Sequence, residues 1–309
     1  MEVHKSKALP GIRKPVVTIG IFDGVHRGHR YILDALKERA AASGGESVVV
    51  TLWPHPRLVL DKDLWNFSLL HSLNEKVGHF ERLGIDHLVI VPFSREVASL
   101  SACRFVEEYL ASNMSLSRLL IGYDNKFGKD RRGDASALAA CAEAYGFTIE
   151  KLKEFVSEYG IISSTSIRNA LAEGDLERAR VMLDYDYYLS GRVVSGNQVG
   201  RTIGYPTANI HPFDPYKMIP MDGVYAVHLE HRETMYPGML NIGHRPTLDS
   251  ASVVKTIEVY LFDVDLDLYD ADITVHFRER VRDEKKFANI GELKQQLQRD
   301  ERTIRNILG

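Results

Sequence analysis

Cysteine is nearly absent: the 309 residues include two, Cys103 and Cys141. Two thiols cannot build a disulfide framework or a cysteine-rich zinc centre, and such scarcity fits a reducing compartment. An excess of either charge is also lacking. Thirty-nine Lys and Arg face 42 Asp and Glu, for a formal net charge of −3. No broad basic surplus exists to neutralise a nucleic-acid backbone or hold an anionic membrane surface. No apolar run approaches the roughly 20 residues of a membrane span. The opening residues, MEVHKSKALPGIRKP, contain no apolar signal core. These absences predict a cytoplasmic protein that binds neither nucleic acid nor membrane; they leave oligomeric state open, a weak homo-oligomer included.

What is present is a chain long enough for two domains, 44% apolar and therefore able to bury real cores. Residues 16–152 alternate short β-branched runs (Val16–Phe22, Val48–Leu52, Leu88–Phe93, Leu119–Gly122, Phe147–Leu152) with helical spacings, as at Tyr31–Ala42, Phe105–Leu110 and Ala135–Tyr145. That alternation predicts a parallel sheet with helices on both faces, a Rossmann-like α/β domain. Residues 164–183 read as two short helices broken at Gly174-Asp175, which places a boundary at about Asp184–Tyr188 and domains at 1–184 and 185–309. The composition then changes to short alternating stretches between Gly, Pro, Asn and Asp, from Leu189–Val194 to Ile273–Phe277. This is the pattern of a small antiparallel β-barrel. A terminal helix follows, with Leu293, Leu297 and Ile304 on its apolar side.

Two fingerprints carry chemistry. The first, Gly20-Ile-Phe-Asp-Gly-Val-His-Arg-Gly-His29, directly follows the first strand, where ligands sit in parallel sheets. Phe22, Asp23 and Gly24 make a turn in which Gly24 accepts unusual backbone angles. Gly28 allows close backbone approach to a ligand, and a helix start aims N–H groups at an anion. His26 and His29, three residues apart, can lie on one side and donate to phosphate oxygens. The block supplies no nucleophile and lacks the Gly-Lys-Ser/Thr of a P-loop. No further Cys or His at ligand spacing makes it a zinc pair.

The second fingerprint runs from Gly191 to Asn209. Gly191, Gly196, Gly200 and Gly204 permit close approach to a phosphate chain, and Arg201 adds a fixed charge. Thr207 and Asn209 project to one face of an extended segment and offer neutral oxygens suited to Mg²⁺ held with substrate phosphates. Downstream, Thr256–Phe262 puts Ile257, Val259 and Leu261 on one face and Glu258 with Tyr260 on the other. Alternation alone puts Glu258 on a solvated face; the competing role is a general base.

Residues 16–183 resemble the nucleotidylyltransferases, and among them the adenylyltransferase module of prokaryotic bifunctional FAD synthetases. The blocks are Gly20–His29, Thr51-Leu-Trp-Pro-His-Pro56, Gly122–Gly133 and Ile162-Ser-Ser-Thr-Ser-Ile-Arg168. Residues 188–309 are similar to riboflavin kinases through Gly191–Asn209, Gly223-Val-Tyr225, Asn241–Thr247, Ile257-Glu-Val-Tyr260 and Arg282–Phe287. The resemblance implies two reactions, riboflavin to FMN and FMN to FAD, with ATP as co-substrate, Mg²⁺ as cation, and ADP and pyrophosphate as products. It makes His26, His29, Ser164, Thr165 and Arg168 phosphate ligands. His55, Asp124, Asn125, Phe127, Asn241 and Arg282 become flavin-side residues, Glu258 the kinase base, and Thr207 and Asn209 the Mg²⁺ ligands. Asn125 stands where the family often has an aromatic residue, and Tyr260 where a histidine is frequent. Two other readings compete: a kinase whose N-terminal transferase uses a different acceptor, and a flavin-binding regulator with decayed catalysis. Retention of His26, His29, Arg168, Thr207, Asn209 and Glu258 argues against decay.

Overall fold

The computed structural model describes residues 1–5, 11–65, 67–123, 128, 138–158, 160–195, 200, 203–247 and 250–309, with backbone alone at 245–247 and 250–254. The chain forms two compact units, Met1–Phe67 with Leu73–Ser163, and Ser68–Ser72 with Ser164–Gly309.

In the first unit the elements are β1 (Glu2–His4), β2 (Val16–Ile19), α1 (Arg27–Ser43), β3 (Ser47–Trp53), α2 (Pro56–Leu60), α3 (Leu73–Arg82), β4 (His87–Pro92), α4 (Arg95–Ser99), α5 (Ala102–Val106, prolonged by a wider turn at Glu107–Ala111), β5 (Arg118–Ile121), α6 (Ala139–Tyr145) and β6 (Thr148–Lys151). The strands form one parallel sheet in the order β1-β4-β3-β2-β5-β6. Its central strands bury both faces, which explains their unbroken apolar runs. Val17, Ile19, Val48 and Val50 join Phe105 and Leu110 in one core. Val16, Val49 and Leu88 join Leu33, Leu36 and Phe80 in the other. The strand order reverses between β2 and β5, so the carboxyl end of β2 is the crevice where such sheets bind ligands.

Four elements of this unit escape the sequence pattern, among them α2 and α4 with five residues each. The three residues of β1 are too short to show a period. In α3, Glu75, Lys76 and His79 are buried beside Phe80, which hides its apolar face. The cysteines also depart from expectation: α5 and α6 bring their Cα atoms to 5.6 Å, and Cys103 and Cys141 form a disulfide. It is one bridge and no framework, but it is not the pair of free thiols that a reducing compartment suggested.

The second unit contains α7 (Ser164–Ala172), α8 (Leu176–Leu183), β7 (Tyr188–Val194), β8 (Ala208–Pro212), β9 (Gly223–His231), β10 (Thr234–Thr247), β11 (Ser250–Leu261), β12 (Asp272–Arg282) and α9 (Ile290–Leu308). The strands close an antiparallel barrel in the order β10-β11-β8-β7-β12-β9. Helix α9 packs Ile304 against Val224, Ala226, Met239 and Phe262. Helices α7 and α8, expected at the end of the first domain, are grouped with the barrel. The Met221 amide donates to the Leu171 carbonyl at 3.0 Å, and a side chain at Gly174 would meet Arg280 Cδ at 2.7 Å.

Helix α9 is tied down by a buried charge that sequence reasoning missed. Asp300, 3% exposed, receives Arg282 Nη2 at 2.7 Å and Nε at 2.9 Å, and Gln296 Nε2 at 2.8 Å. Breaking a buried ion pair by removing one partner leaves an uncompensated charge, at a cost of about 3–5 kcal/mol. Asp300→Ala is therefore expected to lower the urea midpoint of the second unit, while Asp300→Asn, which keeps an acceptor for Arg282, loses less.

Candidate active sites

The first site begins where β2 ends. The Gly20 amide donates to the Val50 carbonyl at 3.0 Å, and a Cβ on Gly20 would lie 2.9 Å from the Phe22 ring. Beyond it the backbone takes positive φ at Phe22 (51°), Gly24 (83°) and Val25 (35°). Positive φ at Gly24 is expected. At Val25, a β-branched residue, it is strained, and burial of Phe22 and Val25 in the α1-facing core holds it there.

The turn delivers His26 to the N-cap of α1, where its Nδ1 accepts from the His29 amide at 3.4 Å. The two imidazoles stack with centroids 3.6 Å apart and planes 18° from parallel. Gly28 leaves room for this stack, since its Cβ would press on the His26 ring at 3.3 Å. His29 meets the edge of Phe22 at 5.2 Å. Burial pushes the His29 pKa well below its usual value, and the neighbouring charges of His26 and Lys76 add to this, so the ring works as a neutral imidazole. Its Nδ1 is buried with no hydrogen-bond partner among the described residues, an exception to the usual pairing of buried polar atoms.

Lys76, on α3, is a second residue the sequence did not single out. It is 1% exposed, donates from Nζ to the Ile21 carbonyl at 2.8 Å, and lies 5.3 Å from the Trp53 ring. The lysine therefore holds the fingerprint loop from beneath. Burial pulls its pKa from 10.5 to about 8, with the buried Asp23 carboxylate opposing. Between pH 8 and 10.5 the unfolded chain binds more protons at this group than the folded protein, so its contribution to stability rises with pH through that window. Lys76→Met is expected to remove the slope, read as urea midpoints at pH 8, 9 and 10.

His55 caps α2, its Nδ1 accepting from the Arg57 amide at 3.1 Å and its ring 5.0 Å from Phe67. Gly122 is buried just past β5. Asp124, Asn125 and Phe127 lie outside the described residues. Ser164, Thr165 and Arg168 stand in the first turns of α7, within the second unit, where Arg168 Nε donates to the Ser68 carbonyl at 2.8 Å.

The second site is assembled across the barrel sheet. Asn209 on β8 pairs in register with Glu258 on β11, and Glu258 pairs with Asn241 on β10. Asn241 then pairs with Val224, and Val224 with Arg282. Cross-strand partners share a face, so one polar row runs Asn209, Glu258, Asn241, and ends beyond Val224 at Arg282. Thr207 Oγ1 donates to Glu258 Oε2 at 3.2 Å. Glu258 is half-buried, not on an open solvated face. A cavity of about 340 Å³ is lined by Thr207 with Val194, Pro206 and Val259.

Gly191 serves strand packing, since a Cβ there would meet the His211 carbonyl. Gly200 likewise lies tight against the Tyr205 carbonyl, and Gly204 takes φ 86° in an open turn. Gly196 and Arg201 lie outside the described residues. Arg282, expected at the flavin, has its Nε and Nη2 edge committed to Asp300.

A parallel sheet with a histidine pair at its switch point, joined to a closed barrel carrying a Thr–Glu–Asn row, defines an enzyme of the phosphate-transferring class with two centres. The family models agree, with FAD synthetase matching residues 10–166 and riboflavin kinase matching 183–308. A bifunctional riboflavin kinase/FMN adenylyltransferase of Escherichia coli K12 is 39% identical over 297 residues, 95% of this chain and 93% of the relative. Its Bacillus subtilis counterpart is 37% identical over 295 residues, 93% and 90% of the two chains. A crystal structure from Streptococcus pneumoniae, described as a macrolide-efflux protein, superposes with a TM-score of 0.87 at 31% identity, over 99% of each chain. Among the described residues here, no helix is long and apolar enough to cross a membrane. The chain belongs to the bifunctional riboflavin kinase/FMN adenylyltransferase family.

Proposed function

We propose that residues 185–309 phosphorylate riboflavin to FMN with ATP, and that residues 1–184 adenylylate FMN to FAD and release pyrophosphate. The observation that carries the reading is the Thr207–Glu258 hydrogen bond, set in register with Asn209 and Asn241. In phosphoryl transfer the protein positions and stabilises more than it reacts. Glu258 orients the ribityl 5′-hydroxyl and takes its proton as the oxygen bonds to the γ-phosphorus and ADP leaves. Thr207 and Asn209 supply neutral oxygens that fit Mg²⁺; the Thr207 hydroxyl donates a hydrogen bond to Glu258 and keeps lone pairs for a cation. Bound there, Mg²⁺ would neutralise phosphate charge. Asn241 stands on the flavin side, and Arg282 keeps a flavin role through what Asp300 leaves of its guanidinium.

In the second reaction, at the N-terminal site, a phosphate oxygen of FMN attacks the α-phosphorus of ATP and pyrophosphate departs, so no protein nucleophile is needed. His26 and His29 donate to the phosphates; with Nδ1 of His26 accepting the His29 amide, its Nε2 is the donor. Ser164, Thr165 and Arg168 are assigned as further phosphate ligands, and His55, Asp124, Asn125 and Phe127 as flavin-side residues, on the family resemblance. The reading includes a cytoplasmic setting. Purified protein with riboflavin, ATP and Mg²⁺ tests it: FMN is expected to rise first and FAD to follow. FMN alone would overturn the N-terminal assignment, and neither product would overturn both.

A further inference from the structure

A second constellation of ionisable groups lies at the β1 edge of the parallel sheet, on a different strand pair from the histidine site that follows β2. Strand β1 pairs with β4 in the register Glu2 to His87 and His4 to Val89. Glu2 and His4, two residues apart, share a face. His4 Nε2 lies 3.1 Å from His87 Nδ1, Glu2 Oε2 lies 3.7 Å from the same nitrogen, and Glu2 Oε1 lies 3.9 Å from His4 Nδ1. One ligand atom from each residue falls within 4.8 Å of the other two. Donors about 2.0–2.1 Å from a tetrahedral ion are spaced roughly 3.3 Å apart, so small side-chain adjustments close this set around one cation. The imidazoles are sheltered, with side chains 10% and 12% exposed, while Glu2 is 69% exposed and leaves an approach from solvent.

An independent feature points the same way. The far nitrogen of His87, Nε2, faces Glu46 Oε2 at 3.5 Å, and that carboxylate is itself fixed by the Arg13 amide at 2.7 Å. A carboxylate behind a histidine, fixing its tautomer and turning its other nitrogen toward the ligand position, is the usual outer shell of a metal-binding imidazole.

We propose that Glu2, His4 and His87 bind a divalent first-row cation of the zinc class, with Glu46 as the positioning residue. Two imidazoles and one carboxylate suit Zn²⁺ and Co²⁺, whereas Mg²⁺ prefers oxygen ligands, so this site is chemically separate from the ATP-bound cation. Two of its ligands come from the edge strand and the third from β4, so the ion fastens β1 to the sheet. Three protein ligands leave a fourth position for water.

The test uses the full-length protein stripped of metal, without nucleotide. Co²⁺ is titrated in and followed by its visible absorption, then displaced with Zn²⁺ in calorimetry. One equivalent is expected to give the intense bands of a tetrahedral site. His4→Gln and His87→Gln, which keep a hydrogen-bonding amide at the strand pair, should each lose that equivalent or weaken it at least 100-fold. Glu46→Gln, with all three ligands intact, should weaken it roughly 10–100-fold. Absence of tetrahedral Co²⁺ in the parent, or unchanged stoichiometry and affinity in both histidine variants, would overturn the site. Full affinity in Glu46→Gln would overturn the positioning role.

Discussion

Glu258→Ala is expected to abolish FMN formation while FAD formation from supplied FMN continues. The carboxylate sits in the middle of the polar row on the barrel, pairs in register with Asn209 and Asn241, and accepts the Thr207 hydroxyl. Removing a general base costs typically 10²–10⁴ in rate, and here it also releases Thr207 from its acceptor, so a loss toward the upper end is expected. Glu258→Gln separates the two effects, because the amide oxygen still accepts from Thr207 but cannot take a proton at working pH. Its riboflavin affinity should persist with kcat collapsed. Chromatography of both reactions, run separately, reads the outcome; loss of both activities in a folded variant would dismantle the two-centre assignment.

His29→Ala should give the opposite pattern, with riboflavin phosphorylation intact and FAD synthesis reduced by about 10²–10³, the usual cost of one lost donor to developing charge. The basis is geometric. His29 is stacked on His26, is kept neutral by burial, and carries a buried nitrogen with no hydrogen-bond partner among the described residues. Because the ring is already neutral well below pH 7, the parent's FAD-forming activity should show no titration of this residue near neutrality. FAD synthesis at the parent rate in the variant would remove His29 from the chemistry.

Much of this was legible in the sequence where burial on both faces left unbroken apolar runs, as in β2 and β3, or where turns punctuated short alternating strands, as from β7 to β12. The functional blocks stood out through the spacing of glycine with histidine and through their family-like order along the chain. Lys76 and Asp300 were not singled out, and for the same reason. Each occupies a core-facing position of an amphipathic helix, Lys76 between Leu73 and Phe80, Asp300 between Leu297 and Ile304. A charge at helical spacing with apolar neighbours was the available signal; read one residue at a time, both pass for solvated side chains. Arg282 carries a second contact that the sequence hid. Its place in a family-like block suggested a flavin contact, and the fork it makes with Asp300 depends on α9, eighteen residues away.

The five residues Ser68–Ser72 have a practical meaning for anyone who dissects this chain. They belong to the barrel unit although first-unit residues flank them on both sides. Lys217, nearly buried among Tyr187 and Tyr188, donates to the Leu70 carbonyl at 2.6 Å, and the Met218 amide donates to the Leu69 carbonyl at 2.7 Å. No single cut yields two complete halves. A fragment beginning at residue 164 or 185 removes one acceptor, the Leu70 carbonyl, from the Lys217 ammonium, and the Ser68 carbonyl from Arg168 where that residue is retained. Excised kinase fragments should therefore be judged with a synthetic 68–72 peptide, or a grafted linker carrying it, before low yield or low activity is blamed on the barrel itself.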